Sequence, residues 1–184
     1  MAATREYTAR MVRALNDQSN WGWPRYEVVD GELLVTPAPR KLHQLVVDEI
    51  LVALATYLKR EPIGHAFTSP ADISWAPKRL VQPDVFVMSL EEARKRTWPT
   101  VRQLLLAVEV LSRGSRRHDR DVKRKLYQRE GVPVFWIVDA DAEVVEVWTP
   151  GVKAARVERE QLVWHPTGAS APFTMRLEEL FRPI

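Results

Sequence analysis

Two carboxylates stand inside the most apolar stretches of the chain. Asp84 follows Pro83 in "LVQPDVFVMS", and Glu109 sits between Val108 and Val110 in "LLLAVEVLS". An isolated buried carboxylate costs several kcal/mol unless it is paired, hydrogen-bonded or bound to a cation. On neighbouring strands, each near the end of an apolar run, the two acids converge on one point at the edge of a sheet. Converging carboxylates repel each other unless a divalent cation neutralises them, and hard oxygen ligands in this number suit Mg²⁺ or Mn²⁺. A metal-bound water beside a phosphodiester is the basis of metal-assisted hydrolysis. Asp84 read alone fits equally well as a strand-end acid capping a turn after proline.

A lysine commonly accompanies such a pair, to stabilise charge building on a phosphate. The residue two beyond Glu109 is Leu111, but the segment that follows offers Lys123 and Lys125, with Asp119 and Tyr127 one turn either side of Lys123. From a helix packed back across the sheet, Lys123 reaches the same point as Glu109, while Lys125 points elsewhere. The spacing from Asp119 to Lys123 is that of a helix-surface pair, whose loss would cost at most about 0.5 kcal/mol.

The chain has 184 residues, 46% of them hydrophobic, which is enough for one substantial core and is read as a single domain, 1–184. It has no cysteine, which excludes disulfides, thiolate-bound zinc and thiol nucleophiles and suits a reducing cytoplasm. The start lacks an apolar signal region, and no apolar run approaches membrane-spanning length. The net charge is only +3, yet "RGSRRHDRDVKRK" holds five arginines and two lysines. Arg113, Arg116, Arg117 and Arg120 are the candidate nucleic-acid contacts, and Ser112-Arg113-Gly114-Ser115 ahead of a helix reads as a phosphate-binding turn or as a solvated helix start.

The elements that must position these groups follow from periodicity. A short helix is expected from about Arg5 to Leu15. Two β-prone runs flank Asp30-Gly31, a tight-hairpin dipeptide. From Pro39 to Arg60 the apolar residues recur at helical spacing, which predicts the longest helix. "HAFTSPADISWAP" and "LVQPDVFVM" read as one strand each, with a short charged segment after the second, and "RQLLLAVEVLS" as a buried strand. A helix capped by Ser112 or Ser115 runs to about Glu130, before the stop at Gly131 and Pro133. "VPVFWIVDA" and "EVVEVWTP" form a further hairpin, and the tail "PFTMRLEELFRPI" a short helix. The order implies an α/β sheet with helices packed against it.

Asp84 after Pro83, then Glu109, resembles the signature of the PD-(D/E)XK nuclease superfamily, whose core is αβββαβ. More closely, "YEVVDGELL", "LHQLVVDEIL", "VQPDVFV", "VEVLS", "DRDVKRKLY" and "GVPVFWIVD", in this order from Tyr26 to Asp139, resemble a large bacterial family of restriction-endonuclease-like proteins of unknown function, numerous in cyanobacteria. The resemblance implies a restriction endonuclease-like core with a mixed central sheet flanked by helices, to which an N-terminal helix and hairpin are added. It implies that Asp84 and Glu109 are metal ligands for Mg²⁺ or Mn²⁺, that Lys123 is the catalytic cation, displaced from strand to helix, and that His43, Glu32 and Glu27 support the site. The sequence departs from the family at "TVRQLLLAVEV", which lacks a Gly-Ala-Pro-Asp turn, and at Val134, where an acid is usual.

Two functions follow as expectations. One is a metal-dependent endonuclease that hydrolyses DNA phosphodiesters. The other is a catalytically inactive protein that keeps the fold as a nucleic-acid-binding or assembly module. A homodimer is expected in the first case, since two cuts on opposite strands need two sites, with Trp21 and Trp23 as candidate contacts. No recognition motif for a particular sequence is evident, which leaves room for a partner protein that supplies it.

Overall fold

Asp30 and Gly31 both adopt left-handed backbone angles, φ 51° and 88°. A two-residue hairpin turn between right-twisted strands requires this, and the dipeptide reaches it at low cost. The flanking strands β1 (Arg25–Val29) and β2 (Glu32–Thr36) pair antiparallel from Arg25 opposite Thr36 to Val29 opposite Glu32. The computed structural model describes residues 6–19, 22–95, 103–112 and 114–182.

Helix α1 (Ala9–Asp17) starts later than its periodicity suggests, because the Thr8 hydroxyl accepts from the Met11 N–H and fixes the first turn, and it runs on to Asp17. Its Ala9 and Val12 pack on Val28 and Leu80. Helix α2 (Lys41–Arg60) matches its expected span closely, and it buries Val46, Val47, Ile50, Leu54 and Leu58.

The next two stretches do not form one strand each. "HAFTSPADISWAP" divides into β3 (Gly64–Thr68) and β4 (Ile73–Ala76), and "LVQPDVFVM" into β5 (Arg79–Val81) and β6 (Val85–Ser89). Pro70 and Pro83 fall in the gaps. A proline has no N–H for a strand ladder, so each ends its pairing, and the chain changes sheet there. β4 and β5 join the hairpin in a four-stranded sheet ordered β2-β1-β5-β4, while β3 and β6 enter the central sheet.

After the short helix α3 (Leu90–Arg94) come β7 (Leu106–Val110), a π-helical turn (His118–Lys123) that continues into α4 (Arg124–Arg129), and β8 (Phe135–Asp139). β9 (Val144–Trp148) closes a hairpin on β8, followed by β10 (Arg156–Glu158), β11 (Gln161–Trp164), β12 (Phe173–Arg176) and the single turn α5 (Leu177–Leu180). The tail is thus a strand plus a helical turn: Phe173 and Met175 are buried while Thr174 and Arg176 are exposed, which is the period of a strand.

The central sheet runs β10-β9-β8-β7-β6-β3, with β7 and β8 parallel and the other neighbours antiparallel. Taken in chain order, α2, β3, β6, β7, α4 and β8 give the αβββαβ core. Alternate residues face opposite layers. Val85, Val87, Leu106, Val108, Trp136 and Val138 pack under α2 and the β11–β12 hairpin. Phe86, Ala107, Leu111, Phe135 and Ile137 pack under α4 and the second sheet, through Leu126, Tyr127, Val29 and Ile73. By this alternation Glu109 lies on the second face, between layers. Among the described residues no helix is long and apolar enough to cross a membrane.

Ser69 ties the two proline breaks together. Its hydroxyl lies 2.7 Å from the Pro83 carbonyl oxygen and 3.0 Å from that of Gln82, and its N–H donates to the Asp84 carbonyl at 3.3 Å. Ser69→Ala is expected to lower stability by about 1 kcal/mol, the loss of one such hydrogen bond. It should also loosen the backbone carrying Asp84. Urea unfolding measures the first effect, and hydrogen exchange at the Asp84 and Val85 amides the second; unchanged exchange there would remove the positioning role.

Candidate active site

The last residue pair between β6 and β7 is Val85 with Val108, and one further step along this register places Asp84 opposite Glu109. Two lone acids from separate apolar runs thereby become neighbours at the strand ends. Asp84 Oδ1 accepts from Arg25 Nη2 at 3.0 Å, and Oδ2 accepts from the Val110 N–H at 2.9 Å and lies 3.1 Å from His43 Nε2. Glu109 Oε1 accepts from both Lys123 Nζ at 3.1 Å and the Tyr127 hydroxyl at 2.8 Å. Lys123 Nζ also stands 2.8 Å from Glu27 Oε2 and 3.5 Å from Asp119 Oδ1.

Each element delivers its group by its own period. In β1, Arg25 and Glu27 are two residues apart and share one face. Glu27 Oε1 accepts from the Gln82 N–H at 2.6 Å, which stitches β1 to the strand break before Asp84. His43 enters from the first turn of α2. Asp119 and Lys123 come from the π-helical turn, a wider winding that recurs at functional sites.

Lys123 does reach Glu109 from the helix, and Lys125 is exposed. The Asp119–Lys123 pair, however, is not on the surface: Lys123 is 2% exposed and Asp119 1%. The expectation that removing Lys123 costs little is therefore corrected, because its loss strands buried carboxylates and costs on the order of 3–5 kcal/mol. Glu27 and His43 join the cluster. Glu32 shares the face of Glu27, but it is exposed at the turn end of β2 and stays outside. Arg25 escaped the sequence reading, although "RYEVV" carries the same signal as Asp84 and Glu109: charges at strand spacing in an apolar run.

Two members of the arginine run are occupied with acids. Arg116 bonds Asp139 and Asp141, and Arg120 bonds Asp139 and Glu146. Arg117 is exposed, and Arg113 lies outside the described residues, as does Trp21. Trp23 is half-buried, with the Arg25 guanidinium 5.3 Å from its ring centre.

Four carboxylates, Glu27, Asp84, Glu109 and Asp119, face two fixed cations, Arg25 and Lys123. Counting histidine as neutral, this leaves a formal excess of two negative charges in a buried place. Burial raises the Glu109 carboxyl well above its ordinary value; Lys123 opposes this, while Asp119, Asp84 and Glu27 add to it. Burial likewise raises Asp119 against the pull of Lys123. Asp84 is different. Burial again disfavours its charge, but Arg25, His43 and Lys123 prevail and hold it well below the usual carboxylate range. Burial works against the Lys123 ammonium, yet Glu109, Glu27 and Asp119 raise its pKa above that of an ordinary lysine.

Among the described residues no group of three or more His, Asp or Glu is placed to hold a metal ion. The charge excess and the donor type nevertheless fit a hydrated divalent ion on Asp84 and Glu109, since Mg²⁺ takes one or two carboxylates and keeps several waters. Lys123 and Tyr127 grip the same Glu109 oxygen, so the second is the one that can turn to a cation. The crevice lined by Asp84, Glu109, Asp119 and Lys123 has room of about 10 Å³, close to a single water.

The raised Glu109 carboxyl sets a pH dependence. The native state keeps this proton at pH values where the unfolded chain has released it. That contribution to stability is full below the ordinary carboxylate range and falls as pH rises toward the native value. In metal-free protein with EDTA, Glu109→Gln should therefore gain stability relative to wild type between pH 5 and pH 8. Urea unfolding at both pH values checks this, and a pH-independent difference would count against a raised carboxyl.

Comparison with known proteins comes to the same place. No curated protein matches. A crystal structure of a "putative nuclease belonging to DUF820" from Anabaena variabilis superposes with a TM-score of 0.73 at 20% identity, covering 86% of this chain and 90% of that one. At that identity the likeness shows the fold, a restriction endonuclease-like one. The Uma2 family model, described as "Putative restriction endonuclease", matches residues 16–178. This span takes in every residue of the cluster, and the chain belongs to the Uma2 family.

Proposed function

We propose that the protein is a divalent-metal-dependent endonuclease that hydrolyses DNA phosphodiester bonds, with Asp84 and Glu109 as ligands of Mg²⁺ or Mn²⁺ and Lys123 as the assisting cation. The observation that carries this reading is the meeting of Asp84 and Glu109 across adjacent strand ends, with Lys123 3.1 Å from Glu109. A divalent ion bound there supplies an activated water and offsets charge on the phosphate. Arg25, His43 and the Val110 amide hold Asp84 ionised and oriented. Tyr127 and Lys123 fix Glu109, and the ammonium adds a positive charge close to where negative charge develops. Glu27 and Asp119 support Lys123 in that position. Dimerisation, so that paired sites reach both strands, and residence in the cytoplasm belong to the same reading.

A second reading, a catalytically inactive nucleic-acid-binding or assembly protein, is favoured by one observation: both Asp84 oxygens already carry hydrogen bonds. Metal titration separates the two. Under the first reading Mn²⁺ raises the melting temperature of wild type, with about 2.7 kcal/mol gained at a hundredfold excess over Kd, and does so much less in Asp84→Ala. Equal shifts in both proteins, or none, would favour the second.

Activity is tested on supercoiled, linear and single-stranded DNA with Mg²⁺ or Mn²⁺. Wild type is expected to cleave at least one form, and Glu109→Gln, purified in parallel, to fall to background. Cleavage that persists in Glu109→Gln would mark a contaminating nuclease or a wrong site. Sedimentation of a monomer across the micromolar range would count against the dimer.

A further inference from the structure

A cavity of about 200 Å³ opens beside the acid cluster, and Trp23, Arg25, Pro39, His43 and Asp84 line both this space and the crevice. The cavity thus shares a wall with the acid cluster, at which the nuclease reading, on which this inference rests, puts the chemistry. We propose that it receives a single unpaired nucleobase, belonging to a nucleotide next to the scissile phosphate.

The chemistry of the walls selects this ligand. One side is apolar, from Trp23, Val47, Leu51 and Pro70. The charged groups are Arg25, Asp48 and Asp84, more negative than positive, which disfavours a second phosphate and suits a neutral ring. Gln44 and Asp48 stand one turn apart on the exposed side of α2 and both reach the cavity. A carboxamide offers a donor and an acceptor, and a carboxylate an acceptor, the groups that read base edges. The Trp23 indole adds an aromatic surface for stacking. A base still paired inside a duplex cannot enter a recess of this size. The substrate must therefore present an unstacked nucleotide, from a single strand or by extrusion.

The test uses a single-stranded oligonucleotide with 2-aminopurine at one position, titrated with the full chain in EDTA, where no cleavage occurs. Wild type is expected to bind and to change the 2-aminopurine fluorescence. Gln44→Trp, a change at an exposed helix position that fills the cavity mouth, should abolish the change and weaken binding by roughly tenfold, the effect of one lost base–aromatic stack. Trp23→Ala should weaken binding similarly, and circular dichroism confirms that both variants are folded. Absence of binding, or a fluorescence change that survives Gln44→Trp, overturns the inference. The metal-dependent cleavage assay is read separately. Cleavage without the fluorescence response removes the base pocket but keeps the nuclease; the response without cleavage keeps the pocket and removes the nuclease.

Discussion

Lys123 holds its ammonium in a space walled by Glu27, Glu109 and Asp119, and each of these acids comes from a different layer of the molecule. Glu27 belongs to the four-stranded sheet, Glu109 to the central sheet and Asp119 to the π-helical turn. The desolvation of four ionisable groups is large, and only short, mutual contacts offset it. The layers are therefore held in register by charge as well as by apolar packing. The same contacts that keep the helix on the sheet place a cation beside the strand ends. Under the proposed function, stability and chemistry are consequently coupled at one residue, and the formal surplus of acid over base leaves the cluster short of positive charge.

The second constraint is the exit of the chain from its ladders at Pro70 and Pro83. Because neither residue can donate to a strand, β5 and β6 belong to different sheets, and Asp84 falls at the seam. A seam is accessible from several sides. Asp84 there meets Arg25 from the second sheet, His43 from α2 and a main-chain N–H just past Glu109. Inside a continuous strand it would meet only its ladder neighbours. The seam also leaves the space between Trp23, α2 and the Ser69 loop that forms the cavity.

The arginine-rich segment shows how far charge in sequence differs from charge in space. Asp139, buried at the end of β8, accepts from Arg116 and Arg120, while Arg120 also reaches Glu146 and the Arg124 guanidinium lies 4.5 Å from the Trp148 ring centre. These contacts clamp the helix that bears Lys123 against the β8–β9 hairpin. Two of the positive charges that suggested a phosphate-binding face are thus engaged in holding the helix, and the charge left to solvent is smaller than the run implies.

By itself, the sequence determined the local elements whose periods are complete within a few residues: the Asp30-Gly31 hairpin, the amphipathic α2 and the buried strands β7 and β8; the αβββαβ order came from the resemblance of its blocks to a known family. It also marked Asp84 and Glu109, because a lone acid in an apolar run conflicts with burial whatever surrounds it. Tertiary structure decided what resolves that conflict. Arg25 shows the signal of a charge in an apolar run but not which acid it meets, Asp119 carries no signal that tells a core partner from a surface charge, and Glu27 and Glu32 look equivalent until the register buries one and leaves the other at the rim. The splitting of two expected strands depended on which sheet could take each half after its proline. Lys123 shows the division most clearly. Helical spacing alone pairs it with Asp119 at the surface, and only the packing of that helix over β1 and β7 encloses it among three carboxylates.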